Sequence, residues 1–250
     1  MNLVILESGE VSDAGEVSLS GARGRHLLDV LGAAPGQRVR VGVLDGPCGE
    51  GTVQSVADGT VALRCAFDAT VPPRPQVDLL LALPRPKVMR RLWAQLAALG
   101  VGQIILTNAE RVERNYFDTH VLTPQCYRPL LVEGLQQARD TWLPRVSIHR
   151  RFKVLVEDEL DGLFPHGLRG LRLRADPAAT KTVGTLVRES REERILLAVG
   201  PEGGWNEFET ALLEAHGFQS AGMGRRTLRT DTACVALLAL VHEAMAVSDL

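Results

Sequence analysis

From residue 77 onward the chain alternates two apolar patterns. The segments 77–83 and 195–199 are almost continuously apolar and read as strands buried on both faces. Shorter runs at 103–106, 146–148 and 170–174 read as further strands. Between them the apolar period lengthens. Val88, Leu92, Leu96 and Leu99 fall on one stripe, so a helix is predicted over 88–99, stopped by Gly100. Helices are also predicted over 125–139, 152–160, 180–189 and 207–216, with a last one over 232–246. A strand over 220–223 precedes that last helix. Strands alternating with helices imply an α/β fold, a parallel sheet covered on both faces.

The first 70 residues have another texture. The runs 38–41, 51–56 and 60–65 alternate apolar and polar positions with period two. Asp45-Gly46 and Asp58-Gly59 supply turns between them, and a short helix over 26–31 ends at Gly32. This predicts a small antiparallel barrel or sandwich. Pro72, Pro73 and Pro75 then make a stiff linker, because proline fixes its own φ and donates no ladder hydrogen bond. Two domains are predicted, 1–72 and 73–250.

Composition fits that picture. The 250 residues are 45% hydrophobic and 23% charged, an ordinary globular balance. No apolar run approaches the ~18 residues of a membrane span. The segment 1–7 has neither a basic flank nor the apolar length of a signal peptide, so a cytoplasmic protein without membrane contact is expected. Cys48, Cys65, Cys126 and Cys234 form no CxxC pair, the six histidines show no HxxxH spacing, and no metal site is expected. Net charge is −2, but positive charge is clumped at Arg85, Lys87, Arg90 and Arg91, at Arg145, Arg150, Arg151 and Lys153, and at Arg225, Arg226 and Arg229. Such clusters bind phosphates or simply form a solvated face.

Two segments carry candidate chemistry. In Val199-Gly200-Pro201-Glu202-Gly203-Gly204-Trp205-Asn206 a strand ends in a glycine-rich turn and a helix begins. Asn206 and Glu209 make a capping-box pattern. The loop is neither GxGxxG nor a P-loop, and acidic Glu202 opposes pyrophosphate. It suits a neutral or cationic nucleoside-like ligand, or it is a tight turn only. The second segment is Gly222-Met223-Gly224-Arg225-Arg226-Thr227-Leu228-Arg229-Thr230-Asp231-Thr232-Ala233. There Thr230 can cap the last helix, and Asp231 suits the positive end of its dipole. A charge buried in that loop needs a partner, so Arg229 there is paired or holding a ligand, or else the segment is a surface loop with ordinary arginines.

Together these segments resemble the RsmE branch of the SPOUT methyltransferases. The resemblance rests on 200–204, on Met223-Gly224 and on 228–233. It extends to Leu83-Pro84, Lys87, Leu99-Gly100-Val101, Glu110-Arg111 and, less specifically, the stretch from Arg25 to Val41. It implies a trefoil-knotted α/β domain that binds S-adenosylmethionine, preceded by a PUA-like barrel that docks RNA. The reaction implied is methylation of uridine N3 in the decoding region of 16S ribosomal RNA, by a homodimer working on the rRNA or the small subunit. The donor would sit among three strand-end loops. These are Arg174 and Ala175; Gly200, Pro201, Glu202, Gly203 and Gly204; and Met223, Gly224, Thr227 and Leu228, with Thr232 beyond. Arg85, Lys87, Arg90, Arg91, Arg225 and Arg226 would meet RNA. Arg229, with Arg226 as alternative, would stabilise charge on the uracil oxygens, and Glu202 or Asp231 would accept the N3 proton if burial raised its pKa. The apolar stretch 233–241 of the last helix would form the dimer interface. The chain departs from the family pattern at Gln95, Ala98 and Asp231, and in the helix holding Glu133 and Gln137, where Arg139 is out of step. Methylation of another rRNA or tRNA position, or a non-catalytic role in ribosome assembly, are the alternative readings.

Overall fold

The computed structural model describes residues 3–164, 170–190 and 192–248. They form two compact units, residues 1–74 with 132–143, and residues 75–131 with 144–250.

The first unit is a five-stranded sheet in the order β1-β3-β4-β5-β2, with β1 (Val4–Leu6), β2 (Glu16–Leu19), β3 (Arg38–Val43), β4 (Cys48–Ala57) and β5 (Thr60–Phe67). Helix α1 (Gly21–Asp29) starts five residues earlier than the apolar pattern predicts. The β4–β5 turn is the expected one: Asp58 and Gly59 have φ of 49° and 72°, the left-handed pair whose twist matches a hairpin. The expected all-antiparallel sheet is corrected to a mixed one, because β1 runs parallel to β3. That pairing joins Val4 to Val41, too far apart in sequence for any local pattern to show it. Val17, Leu19, Leu27, Val41, Val53 and Leu63 meet in the core. Residues 132–143 are held by specific bonds. Thr141 Oγ1 donates to Gly46 O at 2.7 Å, Trp142 Nε1 to Pro72 O at 2.7 Å, and Leu143 N to Asp45 Oδ1 at 2.9 Å.

The second unit is a six-stranded sheet in which every pairing is parallel. Its order is β11-β9-β10-β6-β7-β8, with β6 (Val77–Ala82), β7 (Val101–Thr107), β8 (Arg145–His149), β9 (Gly170–Ala175), β10 (Arg194–Val199) and β11 (Phe218–Ala221). On one face Leu80, Ile105, Leu196 and Ala198 pack under α4 (Phe152–Val154), a π-helical turn (Leu155–Glu159), α5 (Leu160–Leu163) and α7 (Glu207–Ala215). The intervening strand positions are buried too. They lie against α2 (Pro86–Ala98), α6 (Val183–Ser190) and α8 (Thr230–Ser248), and α8 packs on both α2 and α6. Helix α3 (Pro124–Ala138) follows the loop after β7. Gly100 adopts φ +70° after α2, as its role as a stop requires. Several boundaries differ from expectation: α2 begins at Pro86 rather than 88, α6 at Val183 rather than 180, β11 at Phe218 rather than 220 and α8 at Thr230 rather than 232. No helix among the described residues is long and apolar enough to cross a membrane.

A charged residue interrupts the apolar run of β6. Asp78 is 1% exposed, with Arg194 Nη2 2.6 Å from its carboxylate. Burial pushes the Asp78 carboxyl up from 3.8 to about 6, against the lowering effect of Arg194. A carboxyl whose folded pKa lies above its ordinary value binds its proton more tightly in the native state. Its contribution to stability is therefore complete at pH below 3.8 and is lost as pH rises through about 6. Asp78→Asn, which cannot ionise, is expected to remove this slope. Urea unfolding of both proteins from about pH 4 to pH 7 measures it: wild type should lose stability relative to the variant across that window, and a pH-independent difference would refute the assignment.

Candidate functional site

Strands β9, β10 and β11 are adjacent or share a neighbour, so their carboxyl ends open together. The three loops that leave them enclose a cavity of about 300 Å³. The loop after β9 contributes Arg174, Ala175, Asp176 and Pro177. The loop after β10 contributes Gly200, Pro201, Glu202, Gly204 and Trp205. The loop after β11 contributes Gly222, Met223, Gly224, Arg226, Thr227 and Leu228. Thr210 of α7 and Thr230, Ala233 and Leu237 of α8 complete the lining. The open end of a parallel sheet is where α/β proteins bind ligands.

Glycine is needed where the backbones meet. A Cβ on Gly222 would come within 3.1 Å of Asp176 O, and Gly222 is laced by bonds to Lys181 O and from Val183 N. A Cβ on Gly200 would come within 3.0–3.2 Å of the Trp205 indole. That ring lies 5.2 Å from Phe152, and its buried N–H has no partner among the described residues.

Charged groups hold the loops. Arg174 bonds Asp176 and Glu214, each at 3.0 Å. Burial pushes the Asp176 carboxyl up, but hydrogen bonds from Ala178 N–H, Ser220 and Arg174 outweigh it and leave it below the usual carboxylate range. The expected capping box is present: Glu209 N donates to Asn206 Oδ1 at 2.8 Å and Asn206 N to Glu209 Oε2 at 2.9 Å. The other oxygen of buried Glu209 accepts from Glu110 N at 2.7 Å, tying the loop after β7 to the loop after β10. Arg111 adds a second tie, its guanidinium donating to the carbonyls of Gly203 and Gly204. Arg85 lies 3.7 Å from Glu202, and Arg91 bonds Asp231 at 2.8 Å.

The structure brings most of the expected donor residues to one cavity; Gly203 and Thr232 are left out of its lining, as are the catalytic candidates Arg229 and Asp231. Gly203 backs onto Arg111 instead. Thr232 faces away, because a helix that starts at Thr230 presents 230, 233 and 237 to the cavity. Arg229 is exposed and not a buried, paired charge: its carbonyl turns inward to accept Ala233 N–H, and its side chain lies outside. Asp231 does not meet the condition set for a base, because the Arg91 hydrogen bond holds its carboxyl below the usual range. Arg85, Lys87, Arg90, Arg91, Arg225 and Arg226 are all exposed, and Lys87, Arg90, Arg225 and Arg226 have no ion pair among the described residues. Trp205, Thr210, Ala233 and Leu237 are among the lining residues that the sequence reading missed. The signal for Thr210 was its place one turn after the Asn206 cap. No group of three or more His, Cys, Asp or Glu is placed to hold a metal among the described residues, and His166 lies outside them.

Fold and cavity together define a class, the α/β proteins with a ligand site at the carboxyl ends of a parallel sheet. Within it, residues 72–242 match the model of the RNA methyltransferase domain, and the chain belongs to that family. Ribosomal RNA small subunit methyltransferase E of Treponema pallidum is 29% identical over 247 residues, spanning 96% of this chain and 90% of the relative. The corresponding Borreliella burgdorferi protein, methyltransferase E 1, is 24% identical, spanning 94% and 95%. Among solved structures, the Neisseria gonorrhoeae ribosomal RNA small subunit methyltransferase E bound to S-adenosyl methionine superposes with a TM-score of 0.78 at 22% identity, covering 97% of each chain. At that identity the likeness establishes the shared fold.

Because Glu209 serves two backbone N–H groups on two segments, Glu209→Ala is expected to cost about 2 kcal/mol or more. Hydrogen exchange at the Glu110 and Asn206 amides should accelerate while amides of β6 and β10 stay protected. Unchanged exchange at both amides would show that the tie is not needed.

Proposed function

We propose that this RNA methyltransferase transfers a methyl group from S-adenosylmethionine to N3 of a uridine in the decoding region of small-subunit ribosomal RNA. The observation that carries the reading is the cavity at the ends of β9, β10 and β11, in a chain whose relatives are small-subunit rRNA methyltransferases. Structures that share its fold, from Neisseria gonorrhoeae and Legionella pneumophila, hold that donor. The residues present fit it. Val199, Pro201, Ala221, Leu228 and Leu237 offer an apolar slot for a purine, glycine backbones offer hydrogen-bonding edges, and acidic Glu202 suits a cationic ligand.

When bound, S-adenosylmethionine supplies a methyl already activated by its sulfonium. The chain's own task is to align uridine N3 with that methyl and to stabilise negative charge spreading onto the uracil oxygens. Arg226 borders the cavity and carries a permanent charge with several donors, so we assign it this contact. Exposed Arg229, outside the lining, joins Lys87, Arg90 and Arg225 in meeting RNA phosphates. Glu202 borders the cavity but is half exposed beside Arg85 and so lacks the burial set as the condition for a base; the N3 proton passes to solvent water. The same reading makes the 1–72 sheet a PUA-like RNA-docking domain, the 73–250 domain a trefoil-knotted one, and the protein a homodimer. The half-exposed apolar side of α8, where Leu240 is 39% exposed, provides the interface.

The test is methyl transfer from labelled S-adenosylmethionine to small-subunit rRNA and to assembled subunits, followed by nucleoside analysis. N3-methyluridine is expected. Another methylated nucleoside overturns the proposed position, and donor binding without transfer overturns catalysis. Under single turnover at saturating RNA and donor, Arg226→Ala should slow transfer about 10²-fold or more. Arg229→Ala should leave that rate near wild type and weaken RNA binding. The opposite pattern would exchange their roles.

A further inference from the structure

We propose that Arg85 and Arg91 are positioning residues for the donor cavity: from one end of α2 they clasp two of its loops, through Glu202 and Asp231. This rests on reading the cavity as the S-adenosylmethionine site.

The clasp has a rigid side and a soft side. Helix α2 is fixed by buried Met89, Leu92, Trp93 and Leu96, and Trp93 Nε1 donates to Val121 O at 3.2 Å. Arg85 is its N-cap residue, and Arg91 lies in its second turn. Of the segments they reach, the loop of Glu202 belongs to no helix or strand, and Asp231 stands in the first turn of α8. Arg85 Nη2 lies 3.7 Å from Glu202, which itself borders the cavity. Arg91 Nη2 bonds Asp231 Oδ2 at 2.8 Å, although the two residues are 140 positions apart. Asp231 sits between Thr230 and Ala233, both of which line the cavity, and its other oxygen accepts Thr232 N–H at 2.9 Å. The Asp231 side chain is 21% exposed, so its ion pair is better shielded from water than that of Glu202, which is 50% exposed. A loop and a helix start are thus referred to one helix. Their separation is set before the donor arrives, which is the condition for a preorganised site.

Half-exposed ion pairs are individually weak, so each clasp should change donor affinity about two- to fivefold. The pairs share no residue, and their effects should multiply to about tenfold in Arg85→Ala/Arg91→Ala. The measurement is calorimetric titration of the full-length protein with S-adenosylmethionine in the absence of RNA. Arg91→Ala and Asp231→Asn should each weaken binding. The double variant should be no weaker than either alone, because each removes the same interaction. Arg91→Lys, which keeps the charge, should recover most of the loss. In steady-state assays Arg91→Ala should raise the donor KM and leave kcat at saturating donor nearly unchanged, as expected when only donor binding is affected. Wild-type donor affinity in Arg85→Ala/Arg91→Ala would overturn the inference. So would losses that simply multiply in Arg91→Ala/Asp231→Asn, since Arg91 would then not act through Asp231. Absence of donor binding by the wild-type protein would overturn the cavity reading, and the clasp with it.

Discussion

Strand β10 has no free edge and no open face. It pairs with β9 on one side and β6 on the other, and all of its residues after Arg194 are buried. A chain confined in this way can leave only at the strand end, and it must turn at once to avoid its neighbours. Gly200 is where it turns, with the Trp205 ring close against it. The cavity follows from this constraint. The loops of β9 and β11 emerge at the same end because all three strands run the same way, and parallel connection places every carboxyl end on one rim.

What holds that rim is local on one side and distant on the other. The capping box of Asn206 and Glu209 spans four residues and was legible, since its geometry depends only on spacing. The second use of Glu209, on Glu110 N, was not legible, because nothing local marks a carboxylate that serves another segment. The same distinction explains the rest. The parallel strands and the helices between them announced themselves through their own periodicity. The strand Val4–Leu6 is three residues long and finds its partner in Val41–Val43, which no local pattern encodes. Residues 132–143 join the first unit through single bonds, such as Thr141 to Gly46, that leave no trace in a hydrophobic pattern.

The face a residue takes on a helix decides its place at a site. The resemblance sets Thr232 beside the donor, but α8 starts at Thr230, and residues 230, 233 and 237 share the helix face that lines the cavity while Thr232 is exposed. Arg229 also stands elsewhere than the resemblance implies. It reads as the middle of a ligand loop, but it stands one residue before the helix, where its carbonyl is committed to Ala233 and its side chain is free to face water. Arg226, three residues earlier, still lies in the loop and keeps its place beside the cavity.

The charge pattern closes the argument. A net charge of −2 gives an RNA methyltransferase no long-range attraction for its substrate, so local arrangement must supply it. Clumped arginines concentrate positive charge locally, but like charges on one helix end and one loop also repel each other. Two acids beside the cavity moderate that repulsion: Glu202 lies against Arg85 and Asp231 against Arg91, leaving Lys87, Arg90, Arg225 and Arg226 without acid partners among the described residues. The two acids therefore have a double effect. They divide the basic clusters into cations paired with acids and cations without acid partners among the described residues, and they tie the start of α2 to the loop and helix start beside the cavity. Charge counting alone makes Arg90 and Arg91 equivalent. Geometry separates them, because only Arg91 has a carboxylate within reach.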